Sequence, residues 1–139
     1  MNILFSSHGF ELSESEVAQF EHFLSLFIEY NAHTNLSAIR ERDDIIEKHF
    51  IDSLYGVSIA SEIVEHTSTT PVRLLDIGSG GGFPGIPLKL VMPEIDVTLL
   101  DSVGKKVKAM NHFVENLKLE NIRAIQDRAE NLAKSPDHK

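Results

Sequence analysis

The stretch RLLDIGSGGGFPGIPL, residues 73–88, sets five glycines and two prolines behind a short apolar run that closes on one acid, Asp76. Glycines at the carboxyl end of a first parallel strand serve two purposes. They adopt positive φ in a tight turn, and they let a ligand approach the backbone where a Cβ would collide. A plain strand-to-helix turn needs fewer glycines than this loop carries, so the loop reads as a ligand platform. A phosphate-gripping loop needs Gly-Lys-Ser/Thr at the start of the helix, and the chain contains no such tripeptide. A dinucleotide fingerprint, G-x-G-x-x-G, fits Gly80, Gly82 and Gly85, with Asp101 about 20 residues on as the ribose-binding acid. Pro84 lies inside that match, and Pro84 and Pro87 both remove N–H donors from the turn that should grip a pyrophosphate.

A third template places the glycines at 78, 80 and 82 behind Asp76, as D-x-G-x-G-x-G. A carboxylate at that strand end suits a ligand carrying positive charge, such as the amino group and sulfonium of S-adenosylmethionine, and repels a pyrophosphate. Asp101 accepts hydrogen bonds from ribose hydroxyls under either template, or serves only as a helix N-cap before Val103. Further on, DRAE (127–130) sits where an adenine ring would lie in a fold of this type, or forms an ordinary surface turn.

These residues need elements to hold them. SESE at 13–16 reads as a capping box, with Ser13 as N-cap and Glu16 at N3. Val17, Phe20, Leu24, Phe27 and Ile28 follow at helical spacing and predict a first helix to about Ala32. After NAHTNLS, Asp43 caps a second expected helix, striped by Ile46, Phe50, Leu54, Val57 and Val64 and ended by EHTSTTP. Pro71 divides this helical segment, residues 1–70, from residues 71–139, where the pattern changes. VRLLDI (72–77) reads as a buried parallel strand, and a short helix near residues 87–91 stops at Pro93. IDVTLL (95–100) is the second strand, Val103, Val107, Met110, Val114 and Leu117 stripe the next helix, and IRAIQ (122–126) is the third strand. The alternation predicts an α/β fold: the first three parallel strands of a right-handed, doubly wound, Rossmann-like sheet with helices on both faces, preceded by a helical unit.

Composition limits the alternatives. No apolar run reaches the roughly 18 residues of a membrane span, and the first 12 residues lack a signal-peptide pattern, so the expected location is the cytoplasm, away from membranes. With no cysteine there is no disulfide framework, thiol nucleophile or cysteine-based zinc site. The seven histidines show no ligand-spaced cluster and no H-E-x-x-H, so no metal is expected. The net charge of −8 is uneven. Residues 1–70 carry three Lys plus Arg against twelve Asp plus Glu, a balance of −9, and residues 71–139 carry ten against nine, a balance of +1. Lys105, Lys106 and Lys108 form the clearest basic cluster, either a solvated helix face or a phosphate-binding patch.

The runs LLDIGSGGGFPGIPL, VTLLDSVGKKVKAM and NIRAIQDRAENL, together with EYNAHTNLSAI and IIEKHFIDSL, closely resemble the bacterial small-subunit ribosomal RNA methyltransferase G family, also called GidB. The likeness covers nearly all of residues 11–132, and the glycine motif with its following FPGIPL is its most specific part. It implies an S-adenosylmethionine-dependent enzyme that methylates the N7 of one guanine in small-subunit (16S) ribosomal RNA, with that RNA or the ribosomal subunit as partner. It places cofactor contacts on Gly78, Phe83, Ala129 and Glu130, while Asp76 and Asp101 match the two motif acids; Gly80 completes the candidate set. His49 and Asp52 match the family's helical motif as packing or capping residues, and no catalytic side chain is assigned. Tyr30 stands where the family usually has Trp, and Ser37 where it has Thr. Family members continue through further strands, so the chain reads as truncated. The competing expectations are an inactive or cofactor-binding-only fragment of such an enzyme and, through Gly80, Gly82 and Gly85 alone, an NAD-binding oxidoreductase.

Overall fold

The computed structural model describes residues 1–66, 71–128, 130 and 131. Its first helices are α1 (Asn2–Ser7) and α2 (Glu14–Asn31). The capping box at the start of α2 is closed: the Ser13 hydroxyl accepts from the Glu16 N–H at 3.1 Å, and the Glu16 carboxylate accepts from the Ser13 N–H at 2.9 Å. Helix α1 was not among the expected elements. It is too short for a periodic stripe, and its one buried side chain, Phe5, docks on Phe20 with ring centroids 5.1 Å apart. Past α2 the chain turns around the buried amide of Asn31, whose Oδ1 accepts from the N–H groups of Leu36 and Ser37 at 2.9 and 3.1 Å.

The second expected helix is broken into pieces. Helix α3 (Arg42–Ile45) runs into a π-helical segment (Ile46–Ile51) and a last turn, α4 (Asp52–Leu54), after which α5 (Val57–His66) starts afresh. The N-cap of α3 is Glu41, and Asp43 lies in the first turn. Two local causes fit the break: the Ser53 hydroxyl donates back to the His49 carbonyl, which bends helices, and Gly56 interrupts the stripe. The π segment presents Ile46, Phe50 and Ile51 to the core, whereas α5 buries no side chain.

Strands β1 (Arg73–Ile77), β2 (Asp96–Asp101) and β3 (Ile122–Gln126) form one parallel sheet in the order β1-β2-β3, joined by α6 (Gly85–Val91) and α7 (Gly104–Asn116). This is the α/β architecture expected, the first three strands of a Rossmann-like fold. Two details differ. The expected burial of β1 fails on one face, where Leu75 and Ile77 stay 46% and 59% exposed. Nor, among the described residues, do helices cover both faces: α6 and α7 pack on the face that carries Val97, Leu99 and Ile122, all buried. Two right-handed crossovers that step the same way along a sheet return on the same side, and only a reversal of strand order would place a helix opposite.

One hydrophobic core runs across the boundary at residue 71. Phe23 of α2 stacks on Phe50 of the π segment at 5.2 Å and 13°, meets Phe113 of α7 edge-on at 5.4 Å, and lies 5.8 Å from Phe83 of the glycine loop. Lys89 of α6 is buried as well, its Nζ donating to the Pro93 and Ile95 carbonyls, and burial holds its amine below the usual lysine range. Those bonds tie the end of α6 to the approach of β2. Because α2 supplies several rings to this core, loss of its cap should be felt globally: Ser13→Ala is expected to lower unfolding free energy by about 1 kcal/mol in urea denaturation, with Ser13→Asp close to the parent.

Candidate cofactor-binding site

The parallel register brings the carboxyl ends of all three strands to one edge, pairing Asp76 with Leu99, Leu100 with Ile125 and Asp101 with Gln126. The glycine loop leaves β1 at that edge. Its first amides bend back over the second strand, with the N–H groups of Gly78 and Ser79 both donating to the Leu100 carbonyl, at 2.8 and 3.1 Å. Gly78 and Gly80 adopt φ of +72° and +58°, and among the described residues a Cβ added to either would meet no atom within 4 Å. They therefore combine a left-handed backbone with open space above it, the two properties a ligand cradle needs. The later glycines serve packing instead. A Cβ on Gly81 would lie 2.7 Å from the Phe27 ring, and one on Gly85 would lie 2.3 Å from the Leu99 side chain.

The two acids brace this loop. Asp76 is 6% exposed, and its Oδ2 accepts from the Gly85 N–H at 2.9 Å, while its carbonyl accepts from the Ser79 hydroxyl at 2.8 Å. Burial pushes its carboxyl up to about 6, against the favourable Gly85 N–H, and the nearby Asp101 charge adds to the rise. Asp101, also 6% exposed, accepts from the Gly80 N–H at 3.0 Å through Oδ2 and from the Val103 N–H at 2.9 Å through Oδ1. It thus links the middle of the glycine loop to the entrance of α7, and the N-cap position of α7 itself falls on Val103. The site carries negative charge at two strand ends. A pyrophosphate meets two obstacles here, since the N–H groups of Gly80 and Gly85 are engaged by carboxylates and Pro87 has none to offer.

Phe83 closes the loop. Its ring stacks on the His49 imidazole at 4.5 Å and 7° and meets Phe27 edge-on at 5.5 Å, and the Phe83–Pro84 peptide is cis. His49 is half-buried, its Nε2 is 2.8 Å from the Ser37 Oγ, and burial holds its pKa below the usual histidine value, against the Asp52 charge. Sequence reasoning left His49 as a packing partner without naming what it packs on; the stack spans 34 residues of chain, and no local periodicity reports it. Asp76, Gly78, Gly80, Phe83 and Asp101 share this one loop and strand edge. Glu130 is exposed beyond β3, and Ala129 lies outside the described residues. Between them and the strand, the Asp127 N–H donates to the Asp101 carbonyl at 3.1 Å, holding the post-β3 segment to the same edge.

Comparison with known proteins agrees with this arrangement. The family described as rRNA small subunit methyltransferase G (GidB) matches over residues 16–139. A protein named ribosomal RNA small subunit methyltransferase G from Lachnoclostridium phytofermentans is 42% identical over 131 residues, covering 94% of this chain and 52% of that relative. Proteins of the same name from Desulforamulus reducens and Chloroflexus aggregans are 42% and 39% identical, covering 94% and 91% of this chain and 52% and 50% of theirs. The chain spans about half the length of the curated relatives it matches. With the glycine loop, its two acids and the helical segment from residue 16 onward inside the matched region, the chain belongs to the rRNA small subunit methyltransferase G family.

Proposed function

We propose that the chain binds S-adenosylmethionine over Gly78 and Gly80, as the cofactor-binding part of an enzyme that methylates the N7 of a guanine in small-subunit ribosomal RNA. One observation carries the cofactor reading: two positive-φ glycines open onto space that no atom of the described residues fills, beside two strand-end carboxylates. That donor set fits a cationic nucleoside. A carboxylate offers about four lone-pair sites, and backbone N–H groups take one at Asp76 and two at Asp101. Asp101 thus retains acceptor capacity for ribose hydroxyls, Asp76 supplies negative charge toward an ammonium or sulfonium, and Glu130 and Ala129 take the adenine end. The names of the relatives support the RNA substrate.

When bound, the cofactor supplies an electrophilic methyl group on sulfur. Guanine N7 has an in-plane lone pair and no proton, so this transfer needs no general base, which is consistent with a site that shows no catalytic dyad among the described residues. The protein's own contribution is orientation and electrostatics. The braced loop fixes the cofactor relative to the strand ends, and the Phe83–His49 stack holds the loop's exit.

In calorimetry, S-adenosylmethionine should bind saturably and NAD should not; NAD binding, or a folded chain that ignores the methyl donor, overturns the cofactor reading. Gly80→Asn keeps a residue that tolerates left-handed φ and puts a side chain into the open space. Its urea stability should stay within about 1 kcal/mol of the parent while cofactor affinity falls at least tenfold, roughly the cost of a backbone approach lost. The raised Asp76 sets a pH dependence. Below about 6 the carboxyl is protonated and neutral, and above it is charged, so affinity should climb from about pH 5 to about pH 7.5, by at most about tenfold per unit, then level off. Asp76→Asn should flatten that profile.

A further inference from the structure

A second surface gathers chemistry that the cofactor site leaves unused. Lys105, Lys106 and Lys108 on α7 face the loop that follows α2 across a groove of about 500 Å³, whose other wall holds Tyr30, His33 and Asn35. A depression of about 620 Å³ continues the groove along α7, shares Tyr30 and Lys108, and passes Asn111 and His112 before Glu115. The Tyr30 ring lies 5.2 Å from the His33 imidazole and 5.2 Å from that of His112, tilted against each rather than stacked, and meets Phe113 edge-on at 5.7 Å. Arg40 stiffens the rim, donating to the Asn31 carbonyl at 2.9 Å and to the Asn35 Oδ1 at 2.8 Å.

The charge here runs against the rest of the chain. Net charge is −8, yet this groove is lined by three lysines against one carboxylate, and none of the three lysines forms an ion pair among the described residues. Unpaired cations beside flat rings and side-chain amides are what a single strand of nucleic acid requires: phosphates for the ammonium groups and a ring for a base to stack on. A duplex keeps its bases stacked inside and offers little to a tyrosine ring. The groove also has a direction. Val103, 44% exposed, lines its end and donates its N–H to Asp101, so the groove opens at the cofactor edge.

We propose that this groove binds a single-stranded segment of RNA, with phosphates on Lys105, Lys106 and Lys108 and a base against Tyr30, and leads the strand toward the glycine loop. The inference rests on the ribosomal RNA reading above, because the groove's chemistry alone specifies a single-stranded polyanion.

Fluorescence anisotropy with a labelled, unstructured oligoribonucleotide of about 12 nucleotides tests it. The full chain should bind with affinity that falls as salt rises. Replacing all three lysines, as Lys105→Ala, Lys106→Ala and Lys108→Ala together, should reduce the log–log salt slope by about 2, at roughly 0.7 per lost phosphate contact. Tyr30→Leu should weaken binding roughly 5- to 150-fold with the slope unchanged, as expected for a lost stacking contact. Calorimetry with S-adenosylmethionine serves as the fold control and separates the two readings. Cofactor binding without RNA binding by the parent overturns the groove and leaves the cofactor site standing; RNA binding with the expected slope change, in a chain that ignores the cofactor, supports the groove and overturns the cofactor site. An unchanged slope in the triple variant, or tighter binding of a hairpin duplex of equal length, overturns the groove.

Discussion

The structure depends on the packing of phenylalanine rings between its two halves. Phe20, Phe23 and Phe27 project from α2, Phe50 comes from the π segment, Phe113 from α7 and Phe83 from the glycine loop, and neighbouring rings lie 5 to 7 Å apart in tilted, stacked and edge-on pairs. Aromatic side chains bury about 150–250 Å² each and gain further from such offset geometry. A three-stranded sheet covered on one face has little core of its own, and the helical segment supplies the rest. The helical residues are thus part of the scaffold of the loop, and the core has no seam at residue 71.

The second organising feature is the use of carboxylates as internal braces. Asp76 and Asp101 each hold a backbone N–H of the loop, so the acids that would meet a cationic ligand also fix the shape of the surface that receives it. The arrangement has an electrostatic cost that protonation or a positive partner relieves: two buried acids stand close enough for one to raise the pKa of the other. The shape of the loop and the charge at its edge come from the same pair of side chains.

Much of this was legible in the sequence, for identifiable reasons. The capping box at Ser13 and Glu16 is a local hydrogen-bond pattern, and it appears as read. The three strands lie within a residue or two of their expected bounds, because short apolar runs between glycine and proline leave little choice of length. The glycines at 78, 80 and 82 all have positive φ, as a tight turn after a strand demands. What escaped was non-local or too short. Helix α1 has six residues and one anchor, the π segment preserves an apolar stripe while changing its pitch, and the open face of β1 follows from sheet order, which no single strand encodes. The glycine loop and its two acids were readable as types and spacing, but the role of Asp101 as a link between loop and α7 needed coordinates. So did the meeting of Tyr30 with the lysines of α7, which lie more than 70 residues further along the chain.

The contact between Phe27 and Gly81 has a consequence for how variation in this chain should be interpreted. The ring occupies the space that a methyl group at position 81 would need, so the two positions constrain each other across 54 residues of sequence. Any constraint on the shape of the loop is therefore felt at Phe27, a side chain wholly inside the protein. A change of ring size there becomes a change in loop curvature, so the shape of the glycine motif is written partly in the first helix of the core.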